Sequence, residues 1–279
     1  MSNPRLPLEI TDHIIDLLHN KPKALKECCL VSKLWLPRAR KHIFANIQFR
    51  STYDIGLWKK AFPDPTDSPA YLARTLFVGC SQVVEEIDAE EGGWIRAFSL
   101  IERLTVSWTD EISLVPFRIF SSSLKSLRVT SLLFPHSQTF TLIRSLPLLE
   151  DLALIGYDVS VIKGDEPDVP PISIPLTLPK FTGTLALFVD NGVKNTAHRL
   201  LNLPNGLHFQ GLNLSWRSEE DLLWVVKLVV ACSDTLEYLH VTCELDSEIY
   251  STSPLGWLFN FHLQICLARV RSTSPKRLS

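Results

Sequence analysis

The chain holds 279 residues, 46% hydrophobic and 21% charged, with a net charge of −2. That is the composition of an ordinary globular protein of one or two domains. The first residues include Glu9, Asp12 and Asp16 and no long apolar core, so no secretory leader is expected. Residues 222–231 are apolar but broken by Lys227, and residues 255–270 contain His262, Gln264 and Arg269. Each falls short of the ~20 apolar residues a membrane span needs. The six cysteines show no CxxC spacing, so free thiols in a cytoplasmic or nuclear compartment are expected.

In chain order, residues 6–44 predict a run of short helices. Pro7 suits a first helical turn, where its missing N–H costs nothing. Ile10, Ile14, Leu17 and Leu18 form a helical stripe, and Asn20, Lys21 and Pro22 end it. A second stripe has Leu25, Cys28, Cys29 and Val31, and Trp35 opens a third segment running to Ile43 and Phe44. Three helices this short bury little apolar surface and need something to dock on. The first 50 residues hold nine Lys/Arg against four Asp/Glu, and the rest hold 19 against 26. A basic module on an acidic body suits an acidic partner. Its charges are scattered between apolar positions with no dense run, which argues against nucleic acid.

The ordered set Leu6-Pro7-x-Glu9-Ile10, Ile14, Leu18, Leu25-x-x-Cys28-x-x-Val31-Ser32-Lys33-x-Trp35 and Phe44 resembles an F-box. The tail Trp35-Leu36-Pro37-x-Ala39-Arg40-x-x-Ile43-Phe44 is similar to the version common in fungal, basidiomycete-like F-box proteins. The resemblance covers about the first 49 residues. It implies binding to a Skp-type adaptor and, through it, to the cullin of a cullin–RING (SCF-type) ubiquitin ligase. The residues it places at the adaptor are Leu6, Pro7, Ile10, Ile14, Leu18, Leu25, Cys28, Val31 and Trp35. Some of these must instead form the core of the module, and sequence alone does not say which. One departure is the lack of the acidic residue that many F-boxes carry just before Leu25. The alternative reading is that the helices only cap the domain that follows, making the chain a non-ligase interaction scaffold.

From residue 72 a short phrase recurs, with central leucines at Leu76, Leu104, Leu127, Leu152, Leu185, Leu212 and Leu239. Each copy reads as apolar-x-x-Leu-x-apolar, apart from the copy opening at Thr182. The side-chain period of a strand puts both residues of Leu-x-Leu on one face. Between copies lie helical patterns, the best over residues 218–232. There Ser218 suits an N-cap, and Leu222, Val225, Val226 and Val229 are expected on one face. A strand and a helix at this interval match an irregular leucine-rich repeat, as in F-box proteins of this type. The expected fold is therefore α/β: a helical module over residues 4–49, a solenoid with a parallel inner sheet over 50–250, and an irregular tail over 251–279. The x positions, Phe77, Thr105, Arg128, Ala153, Ala186, Asn213 and His240, should face out of the sheet. Trp108 and Trp216 stand at equivalent places in their repeats, and large aromatics on an open face make good anchors. Trp108, Arg128, Trp216 and His240 are the expected contacts to an unidentified target protein.

Residues 161–180 carry five prolines and the acidic group Asp165, Glu166 and Asp168, and are expected as an extended loop. Glu85, Glu86, Asp88, Glu90 and Glu91 form an acidic run, expected as a solvated loop or helix face. The repeat phrase does not return after Glu244, and the short tail is expected to belong to a truncated or alternatively spliced product. No GxSxG, HExxH, P-loop or GxGxxG is present, and no histidine stands at metal-ligand spacing. No catalytic residue, metal or cofactor is expected. The chain is expected to hold a target near chemistry done by other subunits.

Overall fold

The computed structural model describes residues 7–79, 94–108, 114–134, 136–158, 179–190, 193–243 and 262–266. The fold is α/β. Eight strands make a parallel sheet in chain order, β1 (Asn46–Phe49), β2 (Thr75–Val78), β3 (Arg103–Trp108), β4 (Ser126–Phe134), β5 (Asp151–Asp158), β6 (Thr184–Asp190), β7 (Gly211–Trp216) and β8 (Tyr238–Cys243). A ninth, β9 (His262–Cys266), adds antiparallel to β8. The chain divides into two compact units, Met1–Leu127 and Arg128–Ser279.

In the first unit, α1 (Leu8–Leu17), α2 (Pro22–Val31) and α3 (Leu36–Ile43) precede β1. Asn46 to Phe49 thus belong to the sheet, although the sequence reading assigned them to the helical module. The alternation there is regular: Ile47 and Phe49 are buried, while Asn46 and Gln48 are exposed. The helix α4 (Thr52–Ala61) follows and opens with a capping box between Ser51 and Asp54. Aromatic rings tie these elements together. Phe44, at the end of α3, meets Trp58 of α4 at 6.2 Å, and Phe49 of β1 meets Trp58 at 5.9 Å and Trp94 at 5.4 Å. Edge-on pairs of this kind contribute about 0.5–1.5 kcal/mol each beyond their buried area.

All seven central leucines lie in strands and all are buried. They are in register: Leu76 pairs with Leu104 in the first unit, and Leu152, Leu185, Leu212 and Leu239 follow one another in the second. The backbone repeats as well. Before β2, β3, β4, β7 and β8, one carbonyl accepts from two successive N–H groups of the next copy. Arg74 and Thr75 donate to Ala45 (2.9 and 3.0 Å), Glu102 and Arg103 to Arg74 (2.8 and 3.0 Å), and Lys125 and Ser126 to Glu102 (2.8 and 2.9 Å). In the second unit Gln210 and Gly211 donate to Gly183, and Glu237 and Tyr238 to Gln210. The hydroxyl just before a phrase also recurs as a tie. Ser123 Oγ donates to the Ile101 carbonyl (2.8 Å) and Thr235 Oγ1 to the Phe209 carbonyl (3.0 Å).

One copy departs. The sequence phrase opened at Thr182, but that residue is exposed. Phe181 takes the buried place instead, at φ 44° and with its ring 4.9 Å from that of Phe209. The proline-rich and acidic segments, Leu6, and the side chain of Trp108 lie outside the described residues.

The second unit also holds α5 (His136–Arg144), α6 (Val193–Leu201) and α7 (Glu219–Ala231). Ser218 caps α7 in a reciprocal pair with Asp221. The buried face of α7 is Asp221, Val225, Leu228 and the following Cys232. Leu222 and Val226, expected on that face, are 37% and 49% exposed. The helix is apolar on more than one side, so periodicity alone could not choose which side packs.

Candidate functional site

Two surfaces are candidates, the three-helix segment and the outer face of the sheet. The helices have a core of their own: Ile15, Leu25, Cys28 and Ala39, with Leu18, Cys29, Trp35 and Ile43 packed against it. Leu25 and Cys28, expected at a partner, are therefore interior and unavailable to one. Leu18 and Trp35 are half-buried on that core. The buried face of α1 is Thr11, Ile15 and Leu18. Its more apolar stripe points to solvent instead, with Ile10 49%, Ile14 40% and Leu17 65% exposed. Pro7 and Leu8 are exposed beside it. The end of α2 and the turn after it add Leu30, Val31 and Leu34. The sequence reading missed Leu8, Leu30 and Leu34 as surface residues.

An ion cluster fixes α1 to α3. Asp16 accepts from Arg38 Nε at 2.6 Å, from Arg38 Nη2, and from His42 Nε2 at 2.7 Å. The Arg38 guanidinium first, then His42, hold the Asp16 carboxyl well below the usual carboxylate range. His42 must carry its hydrogen on Nε2, because a carboxylate only accepts.

On the sheet, the x positions face away from the leucines. In the first unit Asn46, Thr75 and Arg103 form one row and Gln48, Phe77 and Thr105 the next. In the second, Ala153, Ala186, Asn213 and His240 stand side by side in register. His240 Nδ1 and Asn213 Oδ1 are 3.0 Å apart, a hydrogen bond in which the histidine donates. Arg128 is exposed between buried Leu127 and Val129. Trp216 differs from expectation. It is half-buried and has the strand parity of Leu212 and Leu214, so it shares their core-side face rather than that of Asn213 and His240.

The described residues include an open cleft of about 300 Å³ lined by Pro65, Thr66, Ser68, Tyr71, Arg96 and Ala97. Ser68 Oγ donates to the Pro65 carbonyl at 2.8 Å, so this hydroxyl serves the turn. Among the described residues, no cluster of three or more His, Cys, Asp or Glu side chains is placed to hold a metal, and no helix is long and apolar enough to cross a membrane. Comparison with known protein families, with curated proteins and with solved structures finds no match.

Proposed function

We propose that the chain is a target-receiving subunit of a cullin–RING ubiquitin ligase, with an F-box-like helical segment docking on a Skp-type adaptor and a leucine-rich-repeat sheet face holding the target. The observation that carries this reading is the exposed apolar stripe of α1, Ile10, Ile14 and Leu17, beside a closed core built by the other face. Exposed apolar patches on an otherwise folded unit mark interaction sites. Leu8, Leu30, Val31 and Leu34 enlarge the apolar surface, and Lys21, Lys23, Lys26 and Lys33 give the same segment positive charge suited to an acidic partner. The rings of Phe44, Phe49 and Trp58 join the helices to β1 and α4. A docked adaptor would thus be held at a fixed place relative to these first strands, as a proximity mechanism requires. The chain would contribute position, and other subunits the chemistry.

The second reading, a scaffold whose helices merely cap the repeats, predicts that the apolar stripe lies against the sheet. The exposure of Ile10, Ile14 and Leu17 disfavours it. The test is co-purification of the full chain with a Skp-type adaptor, beside an Ile14→Ala, Leu17→Ala variant. A stable complex that the variant weakens by about 2–4 kcal/mol is expected for anchor residues. Absence of any complex with the folded wild-type chain would sink the ligase reading and favour the scaffold.

A further inference from the structure

The outward sheet face of the first unit carries two arginines whose guanidinium groups meet no carboxylate among the described residues. Its outward positions are Asn46, Gln48, Arg50, Thr75, Phe77, Arg103 and Thr105, with no carboxylate in these rows. Arg103 is exposed and, among the described residues, its guanidinium has no hydrogen-bond or ion-pair partner. Arg50 donates from Nη2 to the neutral Gln48 Oε1 at 2.8 Å and, among the described residues, meets no carboxylate through its guanidinium. Among the described residues, the two carboxylates close by in the chain, Asp54 and Glu102, are already engaged. Asp54 accepts from the backbone N–H groups of Arg50 and Ser51, and Glu102 pairs with Arg74 at 3.6 Å. Residues 51–279, to which Arg103 belongs, hold 19 Lys/Arg against 26 Asp/Glu, and Arg50 is one of the nine Lys/Arg of the first 50 residues.

Between them lies an apolar floor. Phe77 is half-buried, and its ring lies so close over Gly79 that a Cβ there would sit 2.6 Å from Phe77 Cε1 and 3.2 Å from the Arg50 Cα. The hydroxyls and amides of Asn46, Gln48 and Thr105 flank the ring. We propose that this face binds an extended acidic polypeptide segment, with Arg50 and Arg103 taking carboxylates or phosphates and Phe77 taking an apolar side chain between them. The proposal rests on the reading of the sheet face as the surface that holds a target.

Register sets the spacing. Arg103 stands in the row of Asn46, and Arg50 lies four residues beyond Asn46, just past the end of β1. Two strand spacings across and four residues along give about 16 Å, or roughly five residues of extended chain. Guanidinium groups suit this role because they take carboxylate or phosphate oxygens through two parallel hydrogen bonds. A nucleic acid is the weaker candidate, since two cations neutralise little of a polyanion and the surrounding body repels one.

The test is fluorescence anisotropy on the full chain with a labelled twelve-residue peptide. It carries two pairs of glutamates about five residues apart around a central leucine. The same peptide with glutamine throughout, and a thymidine oligonucleotide of similar length, serve as comparisons. The glutamate peptide is expected to bind at least about tenfold tighter than either, and Arg50→Gln or Arg103→Gln to weaken it about tenfold. Both arginines are exposed, so thermal midpoints should hold, and Lys227→Gln on α7 should leave binding unchanged. Equal binding of the glutamine peptide, indifference to both arginine substitutions, or tighter binding of the oligonucleotide would overturn the proposal. Adaptor co-purification on the same variants separates the two ideas. Adaptor retained with no peptide bound defeats only the acidic-segment proposal. Peptide bound with no adaptor supports it and defeats only the ligase reading.

Discussion

Asp16 takes hydrogen bonds from Arg38 and His42 on another helix, and few single residues tie together more of the N-terminal segment. Its carboxyl is held below its ordinary range in the folded chain. A group depressed on folding stabilises above its unfolded value and loses that contribution as pH falls toward the folded one. Asp16→Asn should therefore lower the melting temperature at pH 7. The gap between variant and wild type should narrow as pH drops below about 4. An unchanged gap across pH 3–7 would mean the cluster adds nothing to stability, as exposed ion pairs often do. Trp216 teaches a related lesson at this scale. Its position in the repeat was legible, yet counting parity from Leu212 puts it on the core side. An aromatic four residues beyond a central leucine is an inward residue whenever the strand runs that far.

At the scale of elements, α1 and α7 have the same ambiguity. Each is apolar on adjacent sides, and each buries the less apolar one. In α1 the buried face includes Thr11, and in α7 it includes Asp221. The strands carry no such ambiguity, since one phrase fixes one face. Close approach of neighbouring strands adds a further constraint at Gly156 of β5, which sits at φ 146°. A Cβ there would come 1.7 Å from the Ser131 backbone oxygen. Gly156→Ala should cost more than about 3 kcal/mol in denaturant unfolding, through both strain and clash. In contrast, Leu212→Ala removes a fully buried side chain and should cost about 2–5 kcal/mol through the cavity alone.

At the scale of the molecule, charge is unevenly placed, with nine Lys/Arg against four Asp/Glu in the first 50 residues and an acidic excess beyond. If the helical segment meets an acidic adaptor, the association rate constant should fall steeply between low and physiological salt. The dissociation rate should change little, because the apolar stripe governs it. Stopped-flow measurements at several ionic strengths check this, and a salt-independent association rate would remove electrostatic steering from the account. The repeat gives the body a single rule for its strands, and so the parallel sheet was legible from seven leucines without any homologous sequence. The outer strands were not. β1 lies in a stretch that reads as helical tail, and β9 follows β8 in the opposite direction with no phrase of its own.

The sequence by itself determined the seven strands that carry the leucine phrase and their central inward residues, because a period of two admits only one burial pattern once an apolar pair is placed. It also determined the cap of α7 at Ser218 and the existence of three N-terminal helices, since caps, prolines and apolar spacing act locally. Only tertiary structure decided which face of each helix is covered. That choice separates Leu25 and Cys28, which hold the module together, from Ile10, Ile14, Leu17 and Val31, which face solvent. Only tertiary structure set Phe181 rather than Thr182 in the core, and placed Arg50, Phe77 and Arg103 on one surface. The physical reason is common to all three: local rules fix what a segment can bury, and contact between distant segments fixes what it does bury.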